Sequence, residues 1–189
     1  MAAIDSEDID RKDMDSADPL NRVILELGAA LAKTVKSELH VVHAWYPVGE
    51  RLMRHRRSGL TEKQVNDHIE NDRIVHRDWV SRTMNKANKW INPKTLGIGK
   101  LKTHLIKAPA DKAIPATADK LNADLIIMGT VARTGISGFF IGNTAERILG
   151  QIDCSVFAVK PDGFETPVSL ETENSPPSIQ ANEKRAVSD

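Results

Sequence analysis

The stretch Ala123–Ala145, ADLIIMGTVARTGISGFFIGNTA, holds the residues of this chain with the clearest chemical use. An apolar run, Leu125, Ile126, Ile127 and Met128, breaks at Gly129 into a loop punctuated by Gly135, Gly138 and Gly142. Asn143 follows, where an amphipathic helix can begin. Glycines let backbone amides come close to a phosphate, and a helix start adds free N–H groups and the positive end of a dipole. A buried strand, a glycine-rich loop and a helix start, in that order, are the parts of an anion site. Arg133, inside the loop, is placed to neutralise charge.

Other chemistries lack their residues in the sequence. No G-x-G-x-x-G follows the first strand, and no G-x-x-x-x-G-K-[ST] occurs, because Gly142 is followed by Asn143. No G-x-S-x-G elbow is present. The six histidines are scattered, and none makes a metal-ligand spacing with another or with Cys154. His43 and His104 fall in predicted strands and read as satisfied core residues. Cys154 reads as a small apolar residue at the edge of the last strand. A phosphotransferase would need a base and a metal set, and only Asp5 and the acidic segment after it are candidates.

The elements that must position the glycine loop follow from periodicity. Met1 to Ile4 reads as the last half of a buried strand, ending at Asp5. Asp5 to Asp18 is acidic and aperiodic, a solvated loop, with Asp18 as N-cap and Pro19 in the first turn of a helix. Leu20, Val23, Ile24, Leu27 and Leu31, with Val35 one turn on, keep helical spacing and predict the face that covers a sheet. Glu38–Tyr46, ELHVVHAWY, predicts a buried strand. The basic run Arg51–Arg57 predicts an exposed, mobile loop, with a phosphate-meeting lid as its functional alternative.

Thr61–Ile91 predicts a long, charged helix anchored by Trp79 and Trp90 and ended by Pro93, Gly97 and Gly99. A strand over Leu101–Ile106, a helix over Ala110–Leu121, the strand Leu125–Met128, a helix from Asn143 and a strand over Ser155–Val159 complete the set. Asn143 with Glu146 predicts a capping box. The alternation implies a parallel α/β sheet with helices on both faces and a crevice at the strand C-terminal ends. Asp5, His43 with Trp45, and Gly129 all fall at such ends.

Composition sets the class. The chain has 189 residues, with 26 basic and 26 acidic side chains, so no net field favours nucleic acid or an anionic membrane. One cysteine rules out an internal disulfide framework, and no apolar run suits a signal peptide or a membrane span. A cytoplasmic protein is expected. The expected division is a domain over 1–162 and a disordered tail over 163–189, where Ser, Thr, Glu, Asn and Pro dominate.

The loop resembles a known signature. Gly129-x2-Ala132-x9-Gly142-Asn143-Thr144 is similar to the G-x2-G-x9-G-[ST] pattern of ATP-binding universal stress proteins. Ala3-Ile4-Asp5, the strand ELHVVHAWY, the segment ADLIIMGT and the closing SVFAVKP match that family's order from about Ala2 to Asp162. GTVARTGISGFFIGNTAE and KPDGFETPV resemble the C-terminal domain of its tandem branch.

The resemblance implies a five-stranded parallel sheet of order 3-2-1-4-5, its first strand truncated, and dimerisation through the last strand or pairing with a tandem domain. It implies an adenine nucleotide, ATP with Mg²⁺, whose base meets backbone near Val41 or Val42. Asp5 would approach base or ribose, and Gly129, Gly142, Asn143 and Thr144 would hold phosphates. It implies a stress-linked module with at most weak hydrolysis. The sequence departs from the signature at Ala132, where a Cβ costs roughly 1 kcal/mol if φ must be positive, and at Asn143. A nucleotide-binding module and a non-nucleotide module of the same fold both remain open.

Overall fold

The computed structural model describes residues 1–6, 19–91, 101–130 and 141–161. Five parallel strands form one sheet: β1 (Ala2–Ala3), β2 (Leu39–Trp45), β3 (Leu101–Lys107), β4 (Leu125–Gly129) and β5 (Ser155–Val159). Their order is β3-β2-β1-β4-β5, as expected. The central strand is only two residues long. Ala2 pairs with Val41 on one side and Ile127 on the other, and Ala3 pairs with Val42. The ladder extends beyond it at both ends: Ile127 N–H donates to Met1 O at 2.8 Å, and Ile4 N–H donates to Val42 O at 3.0 Å.

Side chains alternate across the strands and split the core into two layers. Ala2, Ile4, Val41 and Ile127 face the helices α1 (Pro19–Val35) and α3 (Glu62–Trp90). Ala3, Ile126 and Met128 face α4 (Ala110–Lys120) and α5 (Asn143–Leu149).

The helix α1 sits differently from the periodicity reading. Its buried residues are Asn21, Ile24, Leu25, Gly28, Ala29 and Ala32. Leu20, Val23, Leu27 and Leu31 flank that stripe, and Val35 is 68% exposed. The cause is close approach. A Cβ on Gly28 would lie 3.1 Å from Leu39 Cδ1 and 3.6 Å from Ala2 Cβ. Small residues on the helix meet small residues on β1, so α1 lies low over the sheet centre.

A true capping box starts α3: Gln64 N–H donates to Thr61 Oγ1 and Thr61 N–H donates to Gln64 Oε1 at 2.9 Å. Over 29 residues α3 buries only Val65, Val80, Met84 and Ala87, so it is a charged helix held by a narrow seam.

The basic run is ordered locally. A short helix α2 (Glu50–Met53) and a 3-10 turn over Arg56–Ser58 replace the expected mobile loop. Positive φ at Gly49 and Gly59 turns the chain at each end. Glu50 binds Lys107 and Arg54, and these contacts, the Lys107 hydrogen bond first, hold its carboxyl below the usual range. Lys107 ends β3, so the excursion is tied to the β3 side of β2, away from β4.

Candidate functional site

The crevice end of the sheet is built from the ends of β1, β2 and β4 and from residues of α1, α3 and α5. Beyond β1, Ile4 is buried and Asp5 is exposed. Asn21 clamps the backbone there: Asp5 N–H donates to Asn21 Oδ1 at 3.1 Å, and Asn21 Nδ2 donates to Asp5 O at 2.5 Å. Asn21 is 4% exposed, so a buried side chain on the first turn of α1 fixes where the Asp5 carboxyl leaves the sheet. Nothing in the sequence marked Asn21, because it falls on the helical face that the apolar pattern placed elsewhere.

On β2, His43 is fully buried. Its Nδ1 lies 3.1 Å from Ile4 O and its Nε2 lies 2.9 Å from His76 Nδ1 on α3. Trp79 packs on His43 and Trp45 packs on His76, with ring centroids 4.7 and 5.3 Å apart. Burial pushes the His43 pKa down. Burial also lowers His76, His43 lowers it further, and Asp72 and Asp5 pull the other way. The expectation that His43 is a satisfied core residue holds. His76 was missed, since its contact to β2 spans 33 residues and no local pattern carries it.

Val41 and Val42 lie in the body of the sheet, paired with Ala2 and Ala3 on one side and Thr103 and His104 on the other. The Val42 carbonyl already accepts from Ile4. The part of β2 nearest the crevice is Ala44 to Trp45.

At β4, Gly142 N–H donates to Thr130 O at 2.9 Å. This bond holds the residues on either side of the glycine-rich stretch together. Thr130 is 3% exposed, and its Oγ1 is buried without a hydrogen-bond partner among the described residues. A Cβ on Gly129 would come within 2.8 Å of Leu20 Cδ2. That atom is the free end of a flexible side chain, so the absent Cβ eases the packing of α1 without requiring a glycine there.

Gly142 itself is the N-cap of α5, in an extended conformation, and no side chain caps the helix. The Asn143–Glu146 capping box does not form, because Asn143 is already the first helical residue. Asn143 and Thr144 are exposed. Ala132, Arg133, Gly135 and Gly138 lie outside the described residues, as do Asp18, Pro93, Gly97, Gly99 and the predicted tail. Among the described residues no three His, Cys, Asp or Glu groups are arranged to hold a metal, and no helix is long and apolar enough to cross a membrane.

Residues 14–160 match the model of the universal stress protein family. The chain belongs to that family. It is similar to universal stress protein E of Escherichia coli K12, 33% identical over 155 residues, covering 82% of this chain and 45% of that protein. It is also similar to the universal stress protein E homolog of Haemophilus influenzae, 27% identical over 150 residues, covering 76% and 43%. The chain thus spans about half the length of the curated relatives it matches. Among solved structures, universal stress protein UspA from Lactobacillus plantarum shares the fold at TM-score 0.57 and 14% identity, covering 84% of this chain and 95% of that one. The fold expected of a universal stress protein is the one observed.

Proposed function

We propose that this universal stress protein domain binds an adenine nucleotide, with ATP and Mg²⁺ as the reference ligand. The nucleoside lies at Asp5, over the C-terminal end of β2 beyond Val41 and Val42. The phosphates lie at the loop that Gly129 opens, with Gly142, Asn143 and Thr144 at its return and Arg133 neutralising charge. The observation that carries the reading is the Thr130–Gly142 bond, which brings the return of the glycine loop beside the end of β4. β4 borders β1, where the strand order reverses, and ligands of open α/β sheets lodge at such points. Asp5 stands at the end of β1, so a nucleotide can span the two.

Equilibrium dialysis against labelled ATP with Mg²⁺ tests this. Micromolar binding, lost in Gly142→Asp, is the expected result. An Ala132→Gly variant should bind more tightly if the Cβ crowds a phosphate. No binding by a folded sample overturns the reading.

A second reading rests on β5. Among the described residues it pairs only with β4, and it exposes Phe157 at 44%. Val159 faces the core instead. An edge strand with an exposed aromatic side chain suits a second copy or a tandem domain. In that reading the module works through its edge, as a homodimer, and the loop is a connection. Sedimentation of the wild type against Phe157→Lys separates the two: a dimer dispersed by the substitution supports it, and a monomeric wild type removes it.

A further inference from the structure

We infer that His76 is a ligand-reading residue of the nucleoside half of this crevice, presenting an unprotonated Nε2 that accepts a hydrogen bond from a ribose hydroxyl or an exocyclic amine. The inference rests on the nucleotide reading and deepens it.

The argument is one of forced tautomers. Ile4 O is a carbonyl and only accepts, so His43 Nδ1, 3.1 Å away, carries a proton and donates. His43 is fully buried among apolar and aromatic groups, which keeps it neutral. Its Nε2 therefore carries a lone pair. That lone pair faces His76 Nδ1 at 2.9 Å, so His76 Nδ1 carries a proton and donates. A neutral His76 then has its lone pair on Nε2. The relay Ile4–His43–His76 thus starts from a backbone carbonyl and ends on one acceptor nitrogen. That nitrogen has no hydrogen-bond partner among the described residues. His76 is partly exposed, where His43 is fully buried.

The surroundings say which ligand fits. His76 feels the charges of Asp72 on its own helix and of Asp5 beyond β1, and His43 on β2 faces it directly. Trp45 covers one side of its ring. A neutral acceptor near two carboxylates attracts donors, and the carboxylates repel phosphate. A nucleoside offers donors, and its phosphates are then directed toward the β4 side. His43 is a positioning residue in this scheme, since it acts only by fixing the His76 tautomer.

The test has two arms on the full chain. In the first, nitrogen-15 shifts of the imidazoles in the free protein report the tautomer at neutral pH. A protonated Nδ1 and bare Nε2 on His76 are expected, and the opposite tautomer overturns the inference whatever binds.

The second arm measures binding of ATP, 2′-deoxy-ATP, 3′-deoxy-ATP and inosine triphosphate to the wild type and to His76→Asn. Asn retains an N–H donor for His43 and lacks the outward acceptor. The wild type should prefer ATP over one analogue by about three- to tenfold, the loss expected for one hydrogen bond. The disfavoured analogue identifies the donor as 2′-OH, 3′-OH or the amine. His76→Asn should bind all four alike.

The wild-type preference should also fade as pH falls and Nε2 takes a proton, while the variant shows no preference at any pH. If the wild type binds ATP and the variant keeps the same preferences and pH profile, the inference is overturned and the nucleotide reading stands. If the folded wild type binds none of the four, both fall. A thermal melt of His76→Asn guards against mistaking lost packing for lost recognition, because lost packing weakens all four ligands equally.

Discussion

Two imidazole pairs hang from the same strand and differ in what ends them. Toward the crevice, His43 and His76 join β2 to α3 and terminate on a buried backbone carbonyl. Near the start of β2, His40 Nδ1 and His104 Nε2 lie 3.0 Å apart with rings within 8° of parallel, joining β2 to β3. There His40 Nε2 faces Glu38 at 3.1 Å, and Lys102 also binds Glu38, at 2.7 Å. The local chemistry is the same, and the surroundings decide its weight. In the first pair His43 is fully buried, packed by Trp79 and tied to the Ile4 carbonyl, so its tautomers are fixed and its loss leaves buried polar groups behind. The second lies at a half-exposed edge, where water can replace any partner.

The sharpest way to break the comparison is His43→Ala. It removes a fully buried ring, leaves Ile4 O and His76 Nδ1 without partners, and opens a cavity beneath Trp79. Urea unfolding should show a loss of about 3 kcal/mol, combining cavity formation with unmet hydrogen bonds. His40→Ala should cost well under half as much. Equal losses at the two sites would mean that burial does not set the difference.

Next in size is Asn21→Ala. The clamp on Asp5 uses a carbonyl and an amide of one buried side chain against the backbone of residue 5. Its loss should cost about 2 kcal/mol. It should also weaken nucleotide binding without any direct contact to ligand. Loss of stability with binding intact would mean that the Asp5 position does not depend on the clamp.

These two sites also mark the limit of what the sequence could tell. The parallel strands were legible, because apolar runs between helical repeats are local patterns, and their order followed from the family resemblance. The α1 stripe was legible only in part: Ile24 is buried and Leu20, Val23, Leu27 and Leu31 pack against the core, but Gly28, Ala29 and Ala32 carry little hydrophobic signal, and Gly28 buries by close approach to Ala2 and Leu39. The capping box was placed at the wrong helix start: Asn143 has the right residue type, but Gly142 takes the cap position. His76 and Asn21 were invisible, since their partners sit 33 and 16 residues away. The Leu20 side chain beside Gly129 was not legible, because it comes from α1.

Acid sharpens the comparison in another way. His43, His76 and His104 are all held below the ordinary histidine value, in each case first by burial. A group lowered in the folded state binds its proton more readily when unfolded. Its stabilisation is therefore complete above about pH 6.5 and declines as pH falls from there toward the folded value. The pair geometry adds a constraint. Protonation of His76 at Nε2 leaves its Nδ1 donation to His43 intact, but a second proton, on His43, sets two donors face to face. Stability followed from pH 8 to pH 5 should fall, and His43→Leu should flatten the curve more than His104→Leu does. A wild-type curve that rises on acidification would contradict the neutral assignment.

The smallest expected effect is at the exposed end of the second pair. Lys102→Ala removes the 2.7 Å contact to Glu38, whose side chain is 46% exposed, as is that of Lys102. Pairs this open contribute about 0–1 kcal/mol, and salt screens them further. The change should cost no more than about 0.5 kcal/mol and vanish in high salt. Its larger consequence falls on His104. Lys102 is one of the charges that hold the His104 pKa down, after burial and His40. Removing it should move the His104 titration upward in an NMR series while leaving His43 where it was. The two pairs share a strand but no atom, so a shift at both would mean that they titrate as one network through β2. A shift confined to His104 would make the crevice pair an independent unit, set by the carbonyl of Ile4 and the aromatic cover above it.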